Sequence, residues 1–333
     1  MQSQLKDNLS GAVFAADLGG TNLRAAVVDE AGTVSVRVKH PTPQAAQVAT
    51  EIVDALVAAA RDCEKKVKQA GGSISAASVV VPGTVDNCGE KVVQAPNVPC
   101  LDGFRLGEAL HQQLGWPVIL ENDANAAAVG ELWLGAARGF QTIVCVTLGT
   151  GVGGGIILDG KLWRGAEGSA AELGHTTVDP FGGLKCKCGN IGCLEVFASA
   201  TAIVRMAREA FSSYPHTTLD ANQITAERIH EAGLSGDELS LAVLKKMGTY
   251  LGVGLANVVN LINPQIIVIG GGVANGWNLF EKYMREEVVR RAFPVAVRNL
   301  QIVPAKCGDD AGLLGAAHLA FSRKGSDLLA LSK

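Results

Sequence analysis

The chain has 333 residues, of which 48% are hydrophobic, so it can bury the cores of two domains of ordinary size. Its 29 basic and 32 acidic residues give a net charge of -3, and this lack of a strong positive field disfavours a dedicated DNA- or RNA-binding protein. Forty glycines together with only 5% aromatic residues are typical of an α/β enzyme with glycine-rich loops.

The sequence favours a cytoplasmic protein without a membrane partner. No run approaches the ~20 apolar residues that cross a bilayer, and the opening residues lack the charged-then-apolar pattern of a signal peptide. In a reducing compartment we expect the eight cysteines to be free thiols or metal ligands, with no disulfides.

Two similar β-hairpins are predicted 130 residues apart, over 12–29 and 143–160. Their sequences align without a gap from Asp17 opposite Thr147 as far as Asp29. The repeat indicates two duplicated α/β halves whose glycine-rich turns face a shared cleft. The alternative is a chance likeness, because hairpins draw on a restricted composition.

The rest of the chain alternates strands with helices, which predicts an α/β fold. Strands are predicted over 77–83, 117–121 and 264–272, and helices over 44–70, 123–137, 197–212, 237–262, 275–292 and 313–321. The helix over 237–262 has more apolar residues than one stripe requires, which suits a core helix or a dimer face.

Two nucleotide-binding patterns in the second hairpin fail on their context. Gly149, Gly151 and Gly154 fit GxGxxG, but a dinucleotide site needs a helix after the turn, and the sequence here predicts a strand that ends at Asp159. The overlapping GxxxxGK has Leu162 in place of the required Ser or Thr. We therefore expect neither a dinucleotide fold nor a P-loop.

The glycine-rich turns of the two hairpins are candidate phosphate sites. Glycine lets consecutive backbone N–H groups converge on an anion because no Cβ blocks the approach. Asp17 at the first turn would repel phosphate unless a cation lay between them, so we predict that it is a Mg²⁺ ligand, directly or through water. The alternative is a local hydrogen bond within the turn.

A second group of polar residues lies between Glu121 and Asn125, where an apolar strand meets an alanine-rich helix. The helix dipole is expected to keep the Asp123 carboxylate ionised, so that it can accept a proton from a hydroxyl attacking phosphorus. The alternative is that Asn122 or Asp123 serves only as a helix cap.

A third group combines metal-ligand residues with two glutamates: Glu172, His175, Cys186, Cys188, Cys193 and Glu195. Three thiolates and one imidazole form a closed tetrahedral set, which predicts a structural zinc site. Zinc would hold this glycine-rich loop and fix the two glutamates as hydrogen-bond acceptors for a polyol. The alternative is three buried free thiols.

Five segments in this order resemble the ROK family (repressors, open reading frames, kinases) and, within it, the bacterial glucokinases. They are DLGGTNLR (17–24), LENDANAAAVGE (120–131), TLGTGVGGGII (147–157), the run from 172 to 195, and NPQIIVIGGGVA (263–274). The resemblance extends from about Phe14 to Ala320.

This resemblance implies an α/β protein with the actin-like, ribonuclease-H-like ATPase fold, in which two domains close over Mg²⁺-ATP and a sugar in an interdomain cleft. We expect a small domain over 1–121, with a C-terminal helix over about 310–333 packed back on it, and a large domain over 122–309. A homodimer is expected.

The resemblance also implies the roles of individual residues. Asp123 takes the position of the general base that deprotonates the 6-hydroxyl of glucose. The matching sugar-site residues are Gly83, Asn97, Asn122, Asp123 itself, Glu172, His175 and Glu195, with His175 also on zinc. The matching nucleotide-site residues are Asp17, Gly19, Gly20, Thr21, Asn22, Gly149, Thr150, Gly151, Gly270, Gly271 and Gly272.

Several rival functions share these motifs. Proteins that resemble this one phosphorylate N-acetylmannosamine, N-acetylglucosamine and other hexoses. ROK repressors carry a helix-turn-helix domain ahead of the first phosphate motif, and the sixteen residues before Asp17 are too few for its three helices. A sugar binder without activity is disfavoured because Asp17, Thr150 and Asp123 are all present.

Overall fold

The computed structural model describes residues 11–20, 22–43 and 46–330, and the side chains among them as far as residue 322. Contacts divide the chain into two compact units. The first contains the chain up to Gly139, the segment Leu162–Ala170 and the residues from Asp309, and the second contains Phe140–Lys161 and Ala171–Gly308. This division differs from the expected boundary after residue 121, because the helix that follows it packs within the first unit.

The first unit is built on a five-stranded sheet in the order β3-β2-β1-β4-β7. β1 pairs antiparallel with β2 and parallel with β4, which pairs parallel with β7. β5 and β6 form a separate two-stranded sheet, and they come between β4 and β7 in chain order. The strands are β1 (Ala12–Leu18), β2 (Asn22–Val28), β3 (Val34–Pro41), β4 (Ile74–Val81), β5 (Thr84–Val85), β6 (Val92–Gln94) and β7 (Val118–Asn122).

Three helices follow strands in this unit: α1 (Ala49–Gln69), α2 (Leu106–Leu114) and α3 (Asp123–Trp133). Ile52, Leu56, Cys63 and Val67 lie on one buried face of α1, as helical periodicity requires. α1 is shorter than the predicted 44–70, of which residues 44 and 45 lie outside the described part of the chain, and α3 ends four residues before the predicted 137.

The second sheet has the order β10-β9-β8-β11-β12, with the same connectivity of a hairpin followed by parallel strands. This common topology supports the predicted duplication. The strands are β8 (Ile143–Leu148), β9 (Val152–Leu158), β10 (Lys161–Leu162), β11 (Ile266–Gly270) and β12 (Gln301–Pro304).

The gapless alignment of the two hairpins does not extend through their turns. Leu18 pairs with Leu23, which leaves four residues in the first turn, whereas Leu148 pairs with Val152, which leaves three residues in the second. The first strand also continues to Leu18, so Asp17 belongs to β1 and not to the turn.

The strand after the second turn is confirmed. β9 runs to Leu158, and Asp159 and Gly160 both have positive φ, at 51° and 71°, as in a tight hairpin turn before β10. This backbone leaves no helix N-terminus at the GxGxxG letters.

The helices of the second unit are α4 (Glu195–Ala198), α5 (Ala200–Ala210), α6 (Ala226–Leu234), α7 (Glu238–Ile262), α8 (Trp277–Arg291) and α9 (Pro294–Val297). The continuous helix predicted over 197–212 is wrong because Ser199 is extended and its hydroxyl caps α5 by accepting from the Ala202 N–H at 3.1 Å. A Cβ at Gly252 would lie 2.4 Å from the Met284 carbonyl oxygen, so α7 packs closely on α8, which supports the core role for α7.

The last helix of the described residues, α10 (Ala311–Ala330), belongs to the first unit. It packs on α3, β1 and β4. None of the helices among the described residues combines the length and apolar character that crossing a bilayer needs.

Candidate functional site

Asp123 lies where the parallel strand β7 passes directly into α3. Asn122 caps this helix, since its Oδ1 accepts from the N–H groups of Ala124 at 2.9 Å and Asn125 at 3.1 Å. Its Nδ2 donates to the Gly83 carbonyl at 3.1 Å and to Asp123 Oδ1 at 3.0 Å. Asn122 is therefore both the cap and a neighbour that orients the Asp123 carboxyl.

The Asp123 carboxyl is accessible to solvent, yet the protein around it displaces much of its hydration. This desolvation raises the pKa of Asp123 to about 6, against the hydrogen bond from the Ala124 N–H, and the negative charge of Asp17 raises it further. Desolvation thus outweighs the hydrogen bonds at the start of the helix, which favour the ionised form. The carboxylate still predominates above pH 7.

Asp17 and Arg24 form an ion pair as cross-strand neighbours on β1 and β2. Asp17 is mostly buried, with 16% of its side chain exposed. The Gly19 N–H donates to the Asn22 carbonyl at 3.1 Å, and a Cβ at Gly20 would meet no atom within 4 Å. Among the described residues, the turn therefore leaves open space beside Gly20. Thr21 lies outside the described residues.

The second glycine turn, Gly149–Gly151, belongs to the second unit and is held by hydrogen bonds within the turn and from a helix. The Gly149 N–H donates to the Gly151 carbonyl at 3.0 Å, and the Thr150 carbonyl accepts from the Thr201 hydroxyl at 2.9 Å. A Cβ at Gly149 would meet no atom within 4 Å, so the approach to this backbone is open. A rigid turn with an open face suits an anion.

Glu195 lies beside this turn. Its Oε2 accepts from the Val152 N–H at 3.0 Å, and a Cβ at Gly151 would lie 2.3 Å from the same oxygen. The sequence predicted Glu195 only as a sugar ligand and missed this contact, which depends on how the loop after β9 returns to the sheet.

The three predicted glycines lie at the end of the same sheet, Gly270 as the last residue of β11 and Gly271 and Gly272 directly after it. Gly271 has a φ of +85°, and a Cβ there would lie 2.4 Å from the carbonyl oxygen of Leu148, the last residue of β8. Only glycine fits this position. A Cβ at Gly272 would meet no atom within 4 Å. The structure therefore brings Gly271 next to Leu148, the residue that precedes the second glycine turn.

The predicted metal ligands form one cluster. The ligand atoms of His175, Cys186, Cys188 and Cys193 all lie within 4.8 Å of one another. Cys188 Sγ lies 3.7 Å from Cys193 Sγ, and Cys186 Sγ lies 3.6 Å from His175 Nδ1. Zinc–sulfur bonds of about 2.3 Å at tetrahedral angles place two sulfurs about 3.8 Å apart, so the donor set fits zinc.

Glu172 stands immediately before the short 3₁₀ turn that carries His175. Desolvation raises the pKa of Glu172, the charge of His175 lowers it and that of Glu195 raises it. These three predicted sugar ligands are thus electrostatic neighbours within the second unit.

Two further predicted sugar-site residues, Asn97 and Gly83, belong to the first unit. Asn97 is exposed in the turn after β6, and a Cβ at Gly83 would lie 2.3 Å from the Gln94 carbonyl oxygen.

One contact of this site was not predicted: Glu121 was expected only as a member of the polar group before α3, without a role, and Arg164 was not predicted at all. Glu121 is 2% exposed, and Arg164 Nε and Nη2 both donate to its Oε2, at 2.9 Å and 2.6 Å. The position of Glu121 at the end of an apolar strand could have indicated such a contact, because a buried carboxylate requires a charged or hydrogen-bonding partner.

Comparison with known proteins shows the family to which a chain with this sequence and fold belongs. The sequence profile of the ROK family matches residues 13–323. A glucokinase of Halalkalibacterium halodurans is 35% identical over 321 residues, 93% of this chain and 95% of that protein. A xylose repressor of Caldicellulosiruptor bescii is 34% identical over 262 residues, 78% of this chain and 65% of the repressor.

The crystal structure of a ROK family glucokinase from Streptomyces griseus, in complex with glucose and AMPPNP, superposes with a TM-score of 0.81. The two are 36% identical, and the match covers 94% of this chain and all of that one (100%). The predicted fold class is confirmed: this is an α/β protein with the actin-like ATPase fold of such kinases. The chain belongs to the ROK family.

Proposed function

We propose that this protein is an ATP-dependent hexose kinase that phosphorylates the 6-hydroxyl of glucose, with Asp123 as general base. Its membership of the ROK family and its near full-length likeness to glucokinases make it a sugar kinase. What we propose beyond this is that the sugar is glucose and that the named residues have the roles given below. The observation that carries it is the solvent-accessible Asp123 carboxyl, oriented by Asn122 and with its pKa raised to about 6.

In the proposed reaction the sugar 6-hydroxyl oxygen attacks the γ-phosphorus of ATP. A new oxygen–phosphorus bond forms as the bond from the γ-phosphorus to the β,γ-bridging oxygen breaks, and ADP leaves. The hydroxyl proton passes to the Asp123 carboxylate. A base with a pKa near 6 suits this task, because it is largely ionised at neutral pH and still basic enough to take the proton.

The proposed donor site uses the backbone of both glycine-rich turns. Mg²⁺ would neutralise the charge that develops on the transferring phosphoryl group, and Asp17 is the residue that would hold it. Arg24 balances the Asp17 charge in this structure, so it would share that carboxylate with the metal. The backbone residues proposed for the nucleotide are Gly19, Gly20, Thr21, Asn22, Gly149, Thr150, Gly151, Gly270, Gly271 and Gly272.

The proposed sugar ligands are Gly83, Asn97, Asn122, Glu172, His175 and Glu195. His175 directs Nδ1 at the thiol cluster, and Nε2 is then the atom left for a sugar hydroxyl. Zinc would be held by His175, Cys186, Cys188 and Cys193, and it would supply a rigid support for this loop. Homodimer formation and a cytoplasmic location stay predictions.

The test is a coupled assay of ADP production with Mg²⁺-ATP over a panel of hexoses and N-acetylhexosamines. Glucose is expected to give the highest kcat/KM, and phosphorus NMR is expected to find the product phosphate on C6. Higher kcat/KM for N-acetylmannosamine or N-acetylglucosamine would replace glucose as the substrate. A chain that binds sugar without producing ADP would overturn the kinase assignment.

Asp123→Asn tests the base in the same assay. Because a positioned base contributes about 10²- to 10⁴-fold, we expect kcat to fall by at least 10²-fold while glucose still binds by calorimetry. The matched control is Asp54→Asn, an equal change at an exposed position of α1, which should keep the wild-type kcat. Wild-type turnover in Asp123→Asn would remove Asp123 from the mechanism.

A further inference from the structure

A buried carboxylate stands two residues before the proposed base. Glu121 is 2% exposed, and its two oxygens accept four hydrogen bonds in all. Arg164 donates both bonds to Oε2. The Asn122 N–H donates to Oε1 at 2.9 Å, and Asn125 Nδ2 donates to the same oxygen at 3.0 Å. Glu121 is therefore satisfied only when Arg164 and both asparagines are in place.

The two asparagines stand on either side of Asp123, Asn122 as the last residue of β7 and the cap of α3, and Asn125 in the first turn of α3. Asn122 caps the helix and contacts the Asp123 carboxyl, and Asn125 is 3% exposed at the other side of the turn. By accepting from the Asn125 side chain, the Glu121 carboxylate links this turn to β7, and the bond from the Asn122 N–H orients the carboxylate within the strand. The direction in which the Asp123 carboxyl points depends on that turn, because Asp123 is its first residue.

Arg164 is itself held on a fixed support. It belongs to the segment Leu162–Ala170, which is part of the first unit. The Ala170 N–H donates to the Arg164 carbonyl at 3.1 Å, and Asn87 Nδ2 donates to the Ala166 carbonyl at 2.7 Å. Gly168 has a φ of +83°, and a Cβ there would lie 2.0 Å from the Val85 carbonyl oxygen.

We propose that Arg164 is a positioning residue for the Asp123 base and acts through Glu121. The proposal rests on the proposed function. Without the guanidinium, the buried Glu121 carboxylate loses its counter-charge and two of its four hydrogen bonds, so it must move toward water or toward other donors. Either change loosens its hold on Asn122 and Asn125, and a misplacement of about 1 Å in a reacting group costs about 10²-fold in rate.

The first experiment compares Arg164→Met with Arg138→Met, an exposed arginine of the same unit. We expect Arg164→Met to lower kcat by about 10²-fold, with the calorimetric Kd for glucose within about threefold of wild type. Arg138→Met should match wild type. If Arg164→Met keeps the wild-type kcat while the wild type phosphorylates a hexose, the Arg164 proposal is overturned and the proposed function stands. If the wild type phosphorylates no sugar, both fall.

Combined variants separate positioning from loss of stability. In an Asp123→Asn background, Arg164→Met should cause little further loss of kcat, because the group that it positions is gone. Equal fold-losses in the two backgrounds would overturn the proposal. Glu121→Gln with Arg164→Met should recover part of the kcat lost in Arg164→Met alone, because no uncompensated charge remains. Free guanidinium should raise the kcat of Arg164→Gly and leave that of Asp123→Asn unchanged.

Discussion

Asp123 and Asp17 are electrostatically coupled within the first unit: desolvation, and in addition the negative charge of Asp17, raises the pKa of Asp123 to about 6. The two carboxylates have separate roles in the proposed mechanism, one as base and one toward Mg²⁺. Binding of a cation at Asp17 would weaken this repulsion and favour ionised Asp123. In the proposed mechanism, the charge state of the base is therefore linked to occupancy of the proposed Mg²⁺ site.

The pH dependence of the reaction follows from this pKa. A general base must be deprotonated, so kcat/KM should be constant above pH 7 and fall about tenfold per pH unit well below pH 6. The measurement is kcat/KM for glucose from pH 4.5 to 8.5 at constant ionic strength. An inflection near pH 4, the ordinary range of an aspartate, would contradict a raised pKa at the base.

Asp17→Asn tests the coupling directly. Removing a nearby negative charge stabilises ionised Asp123, so the pKa of Asp123 should move down from about 6. Carbon-13 NMR of labelled aspartate carboxyls measures this titration without requiring activity. Asp54→Asn on α1 removes the same charge at an exposed position and should leave the titration unchanged. Equal titration curves in wild type and Asp17→Asn would refute the coupling.

The thiol cluster predicts a stoichiometric metal. Structural zinc sites bind with about 10 kcal/mol that is linked to folding of their loops. Cys188→Ser should therefore lose its zinc, measured by elemental analysis, and weaken glucose binding in calorimetry, because Glu172 and His175 lie on that loop. Cys100→Ser, outside the cluster, should keep both. One zinc per chain in Cys188→Ser would discredit the assignment.

Local sequence patterns predicted much of the fold and the candidate residues. Three of these features depend only on residues within one short segment of the chain. They are the hairpin turn at Asp159, the helix that starts at Asp123, and the cluster that contains Cys186 and His175. Such signals need no knowledge of tertiary structure.

The contacts that the sequence did not reveal depend on register or on distant chain segments. The Asp17–Arg24 pair follows from the cross-strand register of the first hairpin, which the alignment of the two hairpin sequences does not give. Glu121 and Arg164 are 43 residues apart, and no periodicity joins them. Ser199 broke a predicted helix because its hydroxyl competes as a cap, a choice that local propensity leaves open.

Asp237 should contribute to stability with a defined pH dependence. Burial pushes its pKa up, but hydrogen bonds from Ser240, Thr218 and Thr217 outweigh burial and lower the pKa to about 2. Because the folded pKa is below the unfolded value of about 3.8, this contribution is present above pH 4 and is lost as the pH falls through about 2.

Asp237→Asn places an amide among these donors and should lower the free energy of unfolding by about 1–3 kcal/mol at pH 7. Urea denaturation at pH 7 measures this, and the difference from wild type should shrink in acid. Glu238→Gln removes a neighbouring exposed charge and should change stability by less than about 0.5 kcal/mol. Similar losses in the two variants would mean that the charge matters and the hydrogen bonds do not.

The close packing of α3 on α10 connects the C-terminal helix to the proposed base. A Cβ at Gly315 would lie 1.7 Å from the Ala126 carbonyl oxygen, so Gly315→Ala must push the two helices apart. Such overpacking costs about 1–3 kcal/mol, which urea denaturation would detect. Because α3 begins at Asp123, we also expect kcat to fall.

Gly312→Ala is the matched control on the same helix, since a Cβ there would meet no atom within 4 Å. It should be neutral or stabilise by up to about 1 kcal/mol, because alanine favours the helix. Equal stabilities for Gly315→Ala and Gly312→Ala would show that the helices do not approach as described. A destabilised Gly315→Ala with wild-type kcat would show that the position of the Asp123 carboxyl is insensitive to this contact, and that the Glu121 hydrogen bonds at the other end of the turn suffice to hold it.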